Sequence, residues 1–241
     1  MLVTGGSRGI GASIATLAAA AGYTVAVNYL KSAAAAERVV TAIAAGGGKA
    51  VALQADVGDD AQVRRLFGDM DAKLGRVDVL VNNAGILGNR RVDEMDEEAL
   101  EAMFRANVYS MYFCSREAVR RMSTRHGGKG GVIVNMSSVA SRLGGMAGGS
   151  HYAASKGAID TFSLALAKEV GLEGIRVNAI RPGLIETDIH DLHGGIDPKL
   201  AKSVPLGRSG LADEVARVAL WLASDDSSYV HGAIIDVSGG R

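Results

Sequence analysis

The stretch Leu2-Val3-Thr4-Gly5-Gly6-Ser7-Arg8-Gly9-Ile10-Gly11 joins a short apolar strand to an alanine-rich helix. Glycines at such a junction permit a tight turn and let the backbone approach a pyrophosphate, to which the helix N-terminus offers free N–H groups. The spacing G-x3-G-x-G differs from the common G-x-G-x-x-G, and an ordinary βα turn is the simpler alternative. The position at the first strand–helix junction favours dinucleotide binding. The predicted contacts are Gly5, Ser7, Arg8, Gly9, Ile10 and Gly11.

Strand and helix patterns alternate from this loop to the end of the chain. The predicted strands are short and almost continuously apolar, as parallel strands covered on both faces are. They cover residues 2–3, 24–28, 49–54, 77–81, 132–136, 175–180 and 233–237. Helical patterns cover residues 10–21, 32–45, 59–74, 96–122, 152–170 and 213–223. This alternation predicts a single Rossmann-like α/β domain over residues 1–241, with a doubly wound, parallel, seven-stranded sheet and helices on both faces.

Composition excludes several classes of protein. Lys+Arg and Asp+Glu both number 26, and the resulting zero net charge lacks the basic footprint of a nucleic-acid binder. The single cysteine, Cys114, excludes an intrachain disulfide and fits a reducing, cytoplasmic compartment. The apolar run at 10–27 superficially resembles a signal peptide. Because polar residues interrupt it and the glycine loop opens it, we expect neither a signal peptide nor a membrane span.

The end of the second strand indicates which dinucleotide binds. NAD-selective sites usually place Asp or Glu there, to accept a hydrogen bond from the ribose 2′-hydroxyl. This chain has Asn28 followed by Tyr29-Leu30-Lys31-Ser32, without a carboxylate. Arg8 and Lys31 are suited to pair with a 2′-phosphate instead, which favours NADP(H) over NAD(H). The alternative is that both are solvated surface charges.

Two further segments follow strands on the same expected edge of the sheet. Asp56-Val57 follows the third strand, where Asp56 is suited to accept from an adenine amino group; the alternative is a turn former or helix cap. Asn83-Ala84-Gly85 follows the fourth strand, where small residues let the chain pass close to a ribose. The alternative for this segment is an ordinary Asn/Gly turn.

Tyr152 and Lys156 are four residues apart on a predicted helix, so they share one face. A phenol has a pKa of about 10, and a nearby ammonium lowers it, which makes Tyr-x3-Lys a plausible proton-transfer pair in a cleft. Taken alone, the pattern also describes a surface Tyr/Lys pair. Ser138 ends the fifth strand, at the edge where doubly wound sheets bind ligands, although in isolation it is only a turn serine.

In their order along the chain, these motifs resemble the short-chain dehydrogenase/reductase family. The matching pieces are Thr4-Gly-x3-Gly-Ile-Gly11, Asp56-Val57, Asn82-Asn-Ala-Gly85, Asn107, Ser138, Tyr152-x3-Lys156, Arg181-Pro-Gly183 with Thr187, and Asp236-Val-Ser-Gly-Gly240. The resemblance implies hydride transfer between nicotinamide C4 and a carbonyl or secondary alcohol. It also implies a homotetramer, and Arg8 resembles the NADP(H)-preferring members.

The resemblance also implies a role for each matched residue. Tyr152 would be the general acid or base, Lys156 would lower its pKa and hold the nicotinamide ribose, and Ser138 would polarise the substrate oxygen. Asn107 would organise a water that relays protons to Lys156. The nicotinamide half of the cofactor would be lined by Asn83, Ala84, Gly85, Pro182, Gly183, Ile185 and Thr187. No metal is implied.

The substrate is the least readable feature. We expect a mobile substrate lid at about 186–206, and Arg142 and His151 are candidate substrate contacts, although a surface Arg and a loop His are equally good interpretations. A 3-oxoacyl-carrier-protein reductase would need a basic patch, for which Arg120, Arg121, Arg125 and Lys129 are the candidates; Glu173 argues against it. The alternatives are an NAD-dependent sugar dehydrogenase and a non-catalytic NADP(H) sensor on the same fold. No nucleic-acid partner is expected.

Overall fold

A computed structural model describes residues 1–187 and 196–241 of the chain. Within these residues seven strands form one parallel sheet, in the order β3-β2-β1-β4-β5-β6-β9, and a short parallel pair, β7-β8, lies apart from it. The strands are β1 (Leu2–Val3), β2 (Thr24–Tyr29), β3 (Lys49–Gln54), β4 (Val79–Asn82), β5 (Gly131–Met136), β6 (Ile175–Pro182), β7 (Ile185–Glu186), β8 (Gly210–Leu211) and β9 (Ile234–Val237). The predicted doubly wound seven-stranded sheet is confirmed.

The described helices connect these strands. They are α1 (Gly9–Ala20), α2 (Ala33–Ala45), α3 (Asp60–Leu74), α4 (Glu97–Phe104), α5 (Ser110–Met122), α6 (Ala140–Leu143), α7 (Ser150–Val170), α8 (Pro198–Lys202) and α9 (Ala212–Ala223). Side-chain caps fix three of the starts: Asp59 accepts from Gln62 N before α3, Asp96 from Ala99 N before α4, and Asp197 from Lys199 N before α8. In the described part of the chain, no helix has the length and apolarity to cross a membrane.

Alternation along the strands separates two hydrophobic cores. Val3, Val81 and Val134 belong to the core that also contains residues of α1 and α9. Their neighbours Leu2 and Leu80 belong to the core that contains residues of α3, α5 and α7. Because successive strand residues point to opposite faces, one apolar sheet is covered by helices on both sides.

The sheet topology fixes the position of the binding edge. From β1 the chain proceeds outward through β2 and β3, then returns to β4 on the other side of β1 and continues through β5 and β6. The strand order therefore reverses between β1 and β4. In open parallel sheets the crevice at such a reversal, outside the carboxyl ends of the strands, is where ligands bind.

Several local elements differ from the sequence prediction. The helical pattern at 96–122 divides into α4, a π-helical turn at Arg105–Tyr109, and α5. Helix α6 and the β7-β8 pair were not predicted, because two to four residues are too few for periodicity to be recognised. The expected lid at 186–206 includes residues 188–195, which lie outside the described residues; after them comes the short helix α8.

Candidate active site

A cleft of about 480 Å³ lies along the carboxyl ends of the strands on both sides of the reversal point. It brings together all the predicted site residues except one, Asn107. The predicted residues that line it are Gly5, Ser7, Arg8, Gly9, Ile10, Gly11, Asn28, Lys31, Asp56, Val57, Asn83, Ala84, Gly85, Ser138, Tyr152, Lys156, Pro182, Gly183, Ile185 and Thr187.

The glycine loop is shaped by backbone conformation and close approach. Gly5 and Gly9 adopt φ angles of 60° and 53°, in the left-handed region that side chains disfavour. A Cβ at Gly11 would lie 2.5 Å from both Asn83 Nδ2 and Gly5 O, so only glycine fits there. The loop precedes α1, whose N-terminus offers its free N–H groups to the cleft. This cradle fits a pyrophosphate.

Thr4 and Asn83 tie the glycine loop to the segment after β4. Thr4 Oγ1 accepts hydrogen bonds from Asn83 N at 2.9 Å and Ala84 N at 3.0 Å. The Asn83 amide donates in return to Thr4 O at 3.0 Å and Gly5 O at 3.1 Å. The small residues at 83–85 therefore form one rigid wall with the loop, rather than an isolated Asn/Gly turn.

Asn28 lines the cleft, but its amide is engaged by the protein. Its Oδ1 accepts from Gly5 N at 3.2 Å, and its Nδ2 donates to Leu53 O and Ala55 O, both at 3.2 Å. The residue is almost fully buried. Asn28 thus supports the glycine loop from below, and the polar groups that remain exposed beside it are on Arg8 and Lys31.

Arg8 and Lys31 lie at the same rim of the cleft. Both are exposed, and Arg8 Nη2 donates to Ser32 Oγ at 3.4 Å, which links the glycine loop to the segment after β2. Asp56, at the next strand end, accepts from Gly58 N at 2.8 Å and so also shapes its own turn. The adenosine end of the cleft therefore presents cations at its rim, with no carboxylate directly after β2.

Asn107 lies behind the cleft, at the centre of the π-helical turn. Its Oδ1 accepts from Ile86 N at 2.7 Å, and its Nδ2 donates to Ile86 O at 3.1 Å and Ser155 Oγ at 2.9 Å. A Cβ at Gly85 would meet Asn107 Oδ1 at 2.8 Å and Lys156 Nζ at 3.7 Å. Asn107 therefore joins the wall after β4 to the α7 helix, close to the lysine; π-helical turns often mark such sites.

Ser138, Tyr152 and Lys156 meet at the floor of the cleft. Lys156 Nζ donates to Met136 O at 2.8 Å and lies 5.8 Å from the centre of the Tyr152 ring. Burial lowers the pKa of Lys156 to about 8, although Asp160 acts in the opposite direction. Burial raises the pKa of Tyr152, while a hydrogen bond with Ser138 acts to lower it. The phenol therefore carries its proton near neutral pH.

The adjacent serines have different surroundings. Ser137 is buried and donates to Lys156 O at 3.1 Å, which fixes β5 against α7. Ser138 is only partly buried and lines the cleft together with Tyr152, so it is the serine that can reach a substrate. Its catalytic role, which the family resemblance implies, stays a prediction.

Some residues around the site were not found from the sequence. Ile86 and Leu87 line the cleft directly after the predicted Asn83–Gly85 segment. A buried network behind the strands joins Asn82 Nδ2 to Asn135 Oδ1 at 2.8 Å, and Asn135 Nδ2 to Ser163 Oγ at 2.9 Å. The sequence signal for this network is an asparagine at or near the end of each of two otherwise apolar strands, β4 and β5. Their partners are brought together only by the sheet register.

The proposed basic patch does not lie beside the cleft. Its members were Arg120, Arg121, Arg125 and Lys129. They lie just before β5, which begins at Gly131 on the amino edge of the sheet, whereas the cleft lies at the carboxyl edge. Glu117 pairs with Arg120 and Arg121 of α5, and Glu173 lies 4.0 Å from Arg125. Within one chain, these cations are distant from the cleft and partly neutralised.

Comparison with known proteins identifies the family. Residues 5–241 match the family model described as enoyl-(acyl carrier protein) reductase. The chain is 48% identical to the uncharacterised oxidoreductase YgfF of Escherichia coli K12, over 100% of this chain and 98% of that protein. The chain belongs to the short-chain dehydrogenase/reductase family. It is therefore an oxidoreductase, as the ordered motifs indicated.

Two other similar proteins have more informative names. A probable tetrahydroxynaphthalene reductase of Zymoseptoria tritici is 36% identical, over 99% of this chain and 92% of that protein. The crystal structure of a blue fluorescent protein from a metagenomic library, in complex with NADPH, superposes with a TM-score of 0.91 at 36% identity, over 99% of this chain and 96% of that one. Both match this chain over almost its whole length.

Proposed function

We propose that this family member is an NADP(H)-dependent carbonyl reductase, in which Tyr152 is the general acid. One observation carries the proposal: Tyr152 lies over the buried Lys156, and both share a cleft with Ser138 and with a glycine loop that fits a pyrophosphate. In alcohol oxidation the same residues would act in reverse, with Tyr152 as the base. A bound nicotinamide would supply hydride transfer to or from its C4.

The chain's own residues would bind the substrate, orient its carbonyl group and protonate the carbonyl oxygen. Ser138 would donate to the carbonyl oxygen and hold it within reach of the Tyr152 hydroxyl. As negative charge develops on that oxygen, Tyr152 would transfer its proton, and the Lys156 ammonium would stabilise the phenolate left behind. Lys156 Nζ, now on Met136 O, would hold the nicotinamide ribose. Asn107 would keep the wall next to Lys156 in place and organise a water for reprotonation.

The dinucleotide proposed is NADP(H). Arg8 and Lys31 are exposed at one rim of the cleft, with Ser32 beside Arg8, which suits a 2′-phosphate. The NADPH complex of the similar blue fluorescent protein supports this choice. An NAD-dependent sugar dehydrogenase is disfavoured, because Asn28 carries no charge and its amide is engaged by the backbone.

We further propose that the substrate is a neutral, largely apolar ketone. Arg142 is engaged by Asp236 at 3.1 Å and by Arg241 O at 2.6 Å, and His151 is buried, with a lowered pKa that keeps it neutral. Ile86 is exposed and lines the cleft, and the segment between Ser138 and Tyr152 also carries two exposed apolar side chains, Leu143 and Met146. The name of the tetrahydroxynaphthalene reductase supports a ring ketone.

Two alternatives have less support. A carrier-protein reductase would need a basic surface beside the cleft, and the proposed arginines lie at the other edge of the sheet. A non-catalytic sensor would not need the Ser138–Tyr152–Lys156 arrangement, which this chain keeps. The homotetramer and the cytoplasmic location stay predictions.

The test measures turnover of three candidate substrates. Consumption of NADPH is followed with a bicyclic aromatic ketone such as a tetralone and with an acetoacetyl carrier protein. Reduction of NAD⁺ is followed with an aldose. We expect turnover of the ring ketone with NADPH. Tyr152→Phe should lower kcat by roughly 10²–10⁴-fold, because it removes the general acid, with NADPH affinity unchanged.

The matched control is Tyr229→Phe, on an exposed tyrosine outside the cleft, which should keep full activity. Retained turnover in Tyr152→Phe would contradict the catalytic role. Turnover of the carrier-protein substrate alone, or of the aldose alone, would replace the ring ketone with that substrate. NADPH binding without turnover of any substrate would favour the sensor.

A further inference from the structure

Asp160 lies one helical turn beyond Lys156, on the same buried face of α7. The side chains of both residues are almost completely buried, with 6% of Lys156 and 7% of Asp160 exposed. Asp160 does not line the cleft, and the proton-transfer steps described above do not use it. A buried carboxylate is costly unless charged or hydrogen-bonded partners compensate it, so its presence next to the lysine calls for a reason.

Arg181 of β6 holds one oxygen of this carboxylate. Asp160 Oδ2 accepts a hydrogen bond from Arg181 Nε at 3.0 Å and lies 2.9 Å from Arg181 Nη2. The other oxygen, Oδ1, is buried and accepts no hydrogen bond from any residue that the structure describes. The arginine therefore fixes the position of the carboxylate without satisfying all of it, which leaves negative charge inside the protein one turn from Lys156.

The groups around Lys156 offer little other compensation for its charge. On its own helix the neighbouring groups are Tyr152 and Asp160. The Met136 carbonyl of β5 and the neutral amide of Asn107, in the π-helical turn, also lie around the lysine. The Arg181 cation of β6 lies behind Asp160. Burial lowers the pKa of Lys156 to about 8, and Asp160 opposes that shift. Removal of the carboxylate would let the amine lose its proton at a still lower pH.

We propose that Asp160 is a positioning residue that keeps the positive charge of Lys156 in place beneath Tyr152. The inference rests on the proposed function, since it requires Tyr152 and Lys156 to act as the proton-transfer pair. Asp160 touches neither substrate nor cofactor and acts only through Lys156.

The same ion chain supplies a matched control. Arg181 Nη1 lies 3.5 Å from Asp236 Oδ1, and Asp236 Oδ2 lies 3.1 Å from Arg142 Nη2 on α6. Asp236 therefore pairs with the same arginine, but it belongs to β9 and lies one step farther from the lysine. Asp236→Asn removes a carboxylate from the network without changing Asp160, which shares the buried face of α7 with Lys156.

The first test compares the pH dependence of NADPH-dependent reduction in Asp160→Asn, Asp236→Asn and the wild type. We expect the alkaline limb of Asp160→Asn to move to lower pH by about one unit or more, as for a group that loses an opposite charge nearby. The limb of Asp236→Asn should stay where it is in the wild type. If Asp160→Asn loses activity equally at all pH values and its alkaline limb stays at the wild-type pH, the inference is overturned and the role of Asp160 is structural.

The second test does not depend on turnover, and it covers the case in which Asp160→Asn fails to fold. Lysines labelled with ¹³C at Cε are titrated by NMR, and the Lys156 signal is assigned by its loss in Lys156→Arg. Asp160→Glu, which retains the charge, should titrate close to the wild type. Arg181→Gln, which removes the competing cation, should titrate at higher pH. A lower titration pH in Arg181→Gln would overturn the inference.

The two hypotheses fail in different ways. If Tyr152→Phe retains activity, the proposed function fails, whatever the Asp160 variants do. If Tyr152→Phe is inactive while the Lys156 titration is the same in Asp160→Asn as in the wild type, only the role of Asp160 fails.

Discussion

The two ends of the cleft are built on opposite principles. At the adenosine end Arg8 and Lys31 are exposed, and the contact of Arg8 with Ser32 is a single hydrogen bond of 3.4 Å. At the nicotinamide end Asn107 and Lys156 are almost fully buried, and Asn107 alone holds three different residues. Charges in water are screened and adapt freely, whereas buried ones are fixed and strongly coupled. The first end can therefore select a ligand, and the second can change the protonation of a side chain.

The largest expected effect comes from removing the buried charge at the nicotinamide end. Lys156→Met should lower kcat by roughly 10²–10⁴-fold, because burial then raises the pKa of Tyr152 without a cation to stabilise the phenolate. The measurement is steady-state NADPH oxidation with the ring ketone. Lys168→Met, on the exposed side of the same helix, is the control and should keep full activity. A Lys156→Met variant with near-normal kcat would remove the contrast between the two ends.

A smaller effect is expected when charge is removed from the adenosine end. Arg8→Ala with Lys31→Ala should weaken NADPH binding roughly 10–100-fold, the worth of charge-assisted hydrogen bonds, and change NADH binding little. The measurement is fluorescence titration of both dinucleotides. Arg38→Ala with Lys49→Ala changes the net charge equally, at exposed positions that do not line the cleft, and should leave both affinities unchanged. Equal losses for NADPH and NADH would refute the 2′-phosphate assignment.

The smallest effect concerns stability and applies only to the buried end. The pKa of Lys156 is about 8 in the folded protein, against about 10.4 for a free lysine, so between these values the unfolded chain binds more protons. Rising pH therefore favours the folded state in this window. The wild type should gain stability relative to Lys156→Met by about 1 kcal/mol per pH unit. Urea unfolding of both proteins at several pH values measures the difference, and a difference that does not change with pH would contradict a lowered pKa for the buried Lys156.

Much of the site was predictable because its residues follow strands directly. Every predicted cofactor contact lines the cleft. Apart from Tyr152 and Lys156, which lie on α7, these contacts belong to motifs at or just after strand ends, and the carboxyl ends of parallel strands meet at one edge. Asn28 shows the limit of this reasoning. The sequence correctly placed it at the end of β2, but not the three backbone groups that its side chain engages.

The residues that escaped prediction act through contacts between distant segments. Asp160 and Arg181 are 21 residues apart and become partners because α7 packs against β6. Arg121 and Arg125 were candidates for a basic patch beside the cleft. They precede β5, however, and therefore lie at the amino edge of the sheet, opposite the edge that carries the cleft. In each case the sequence shows the residue type, but not the sheet edge or the helix face on which the residue lies.

The order of the glycines, the strand ends and the Tyr-x3-Lys pair was enough to identify the sheet, its binding edge and the candidate proton-transfer residues. These features depend on local conformation and on side-chain periods of two residues in strands and 3.6 residues in helices. Packing decided which polar groups are buried, which are exposed, and which charges face Lys156. Burial and through-space charge depend on residues far apart in the chain, and these are the quantities that set the pKa values of Lys156 and Tyr152.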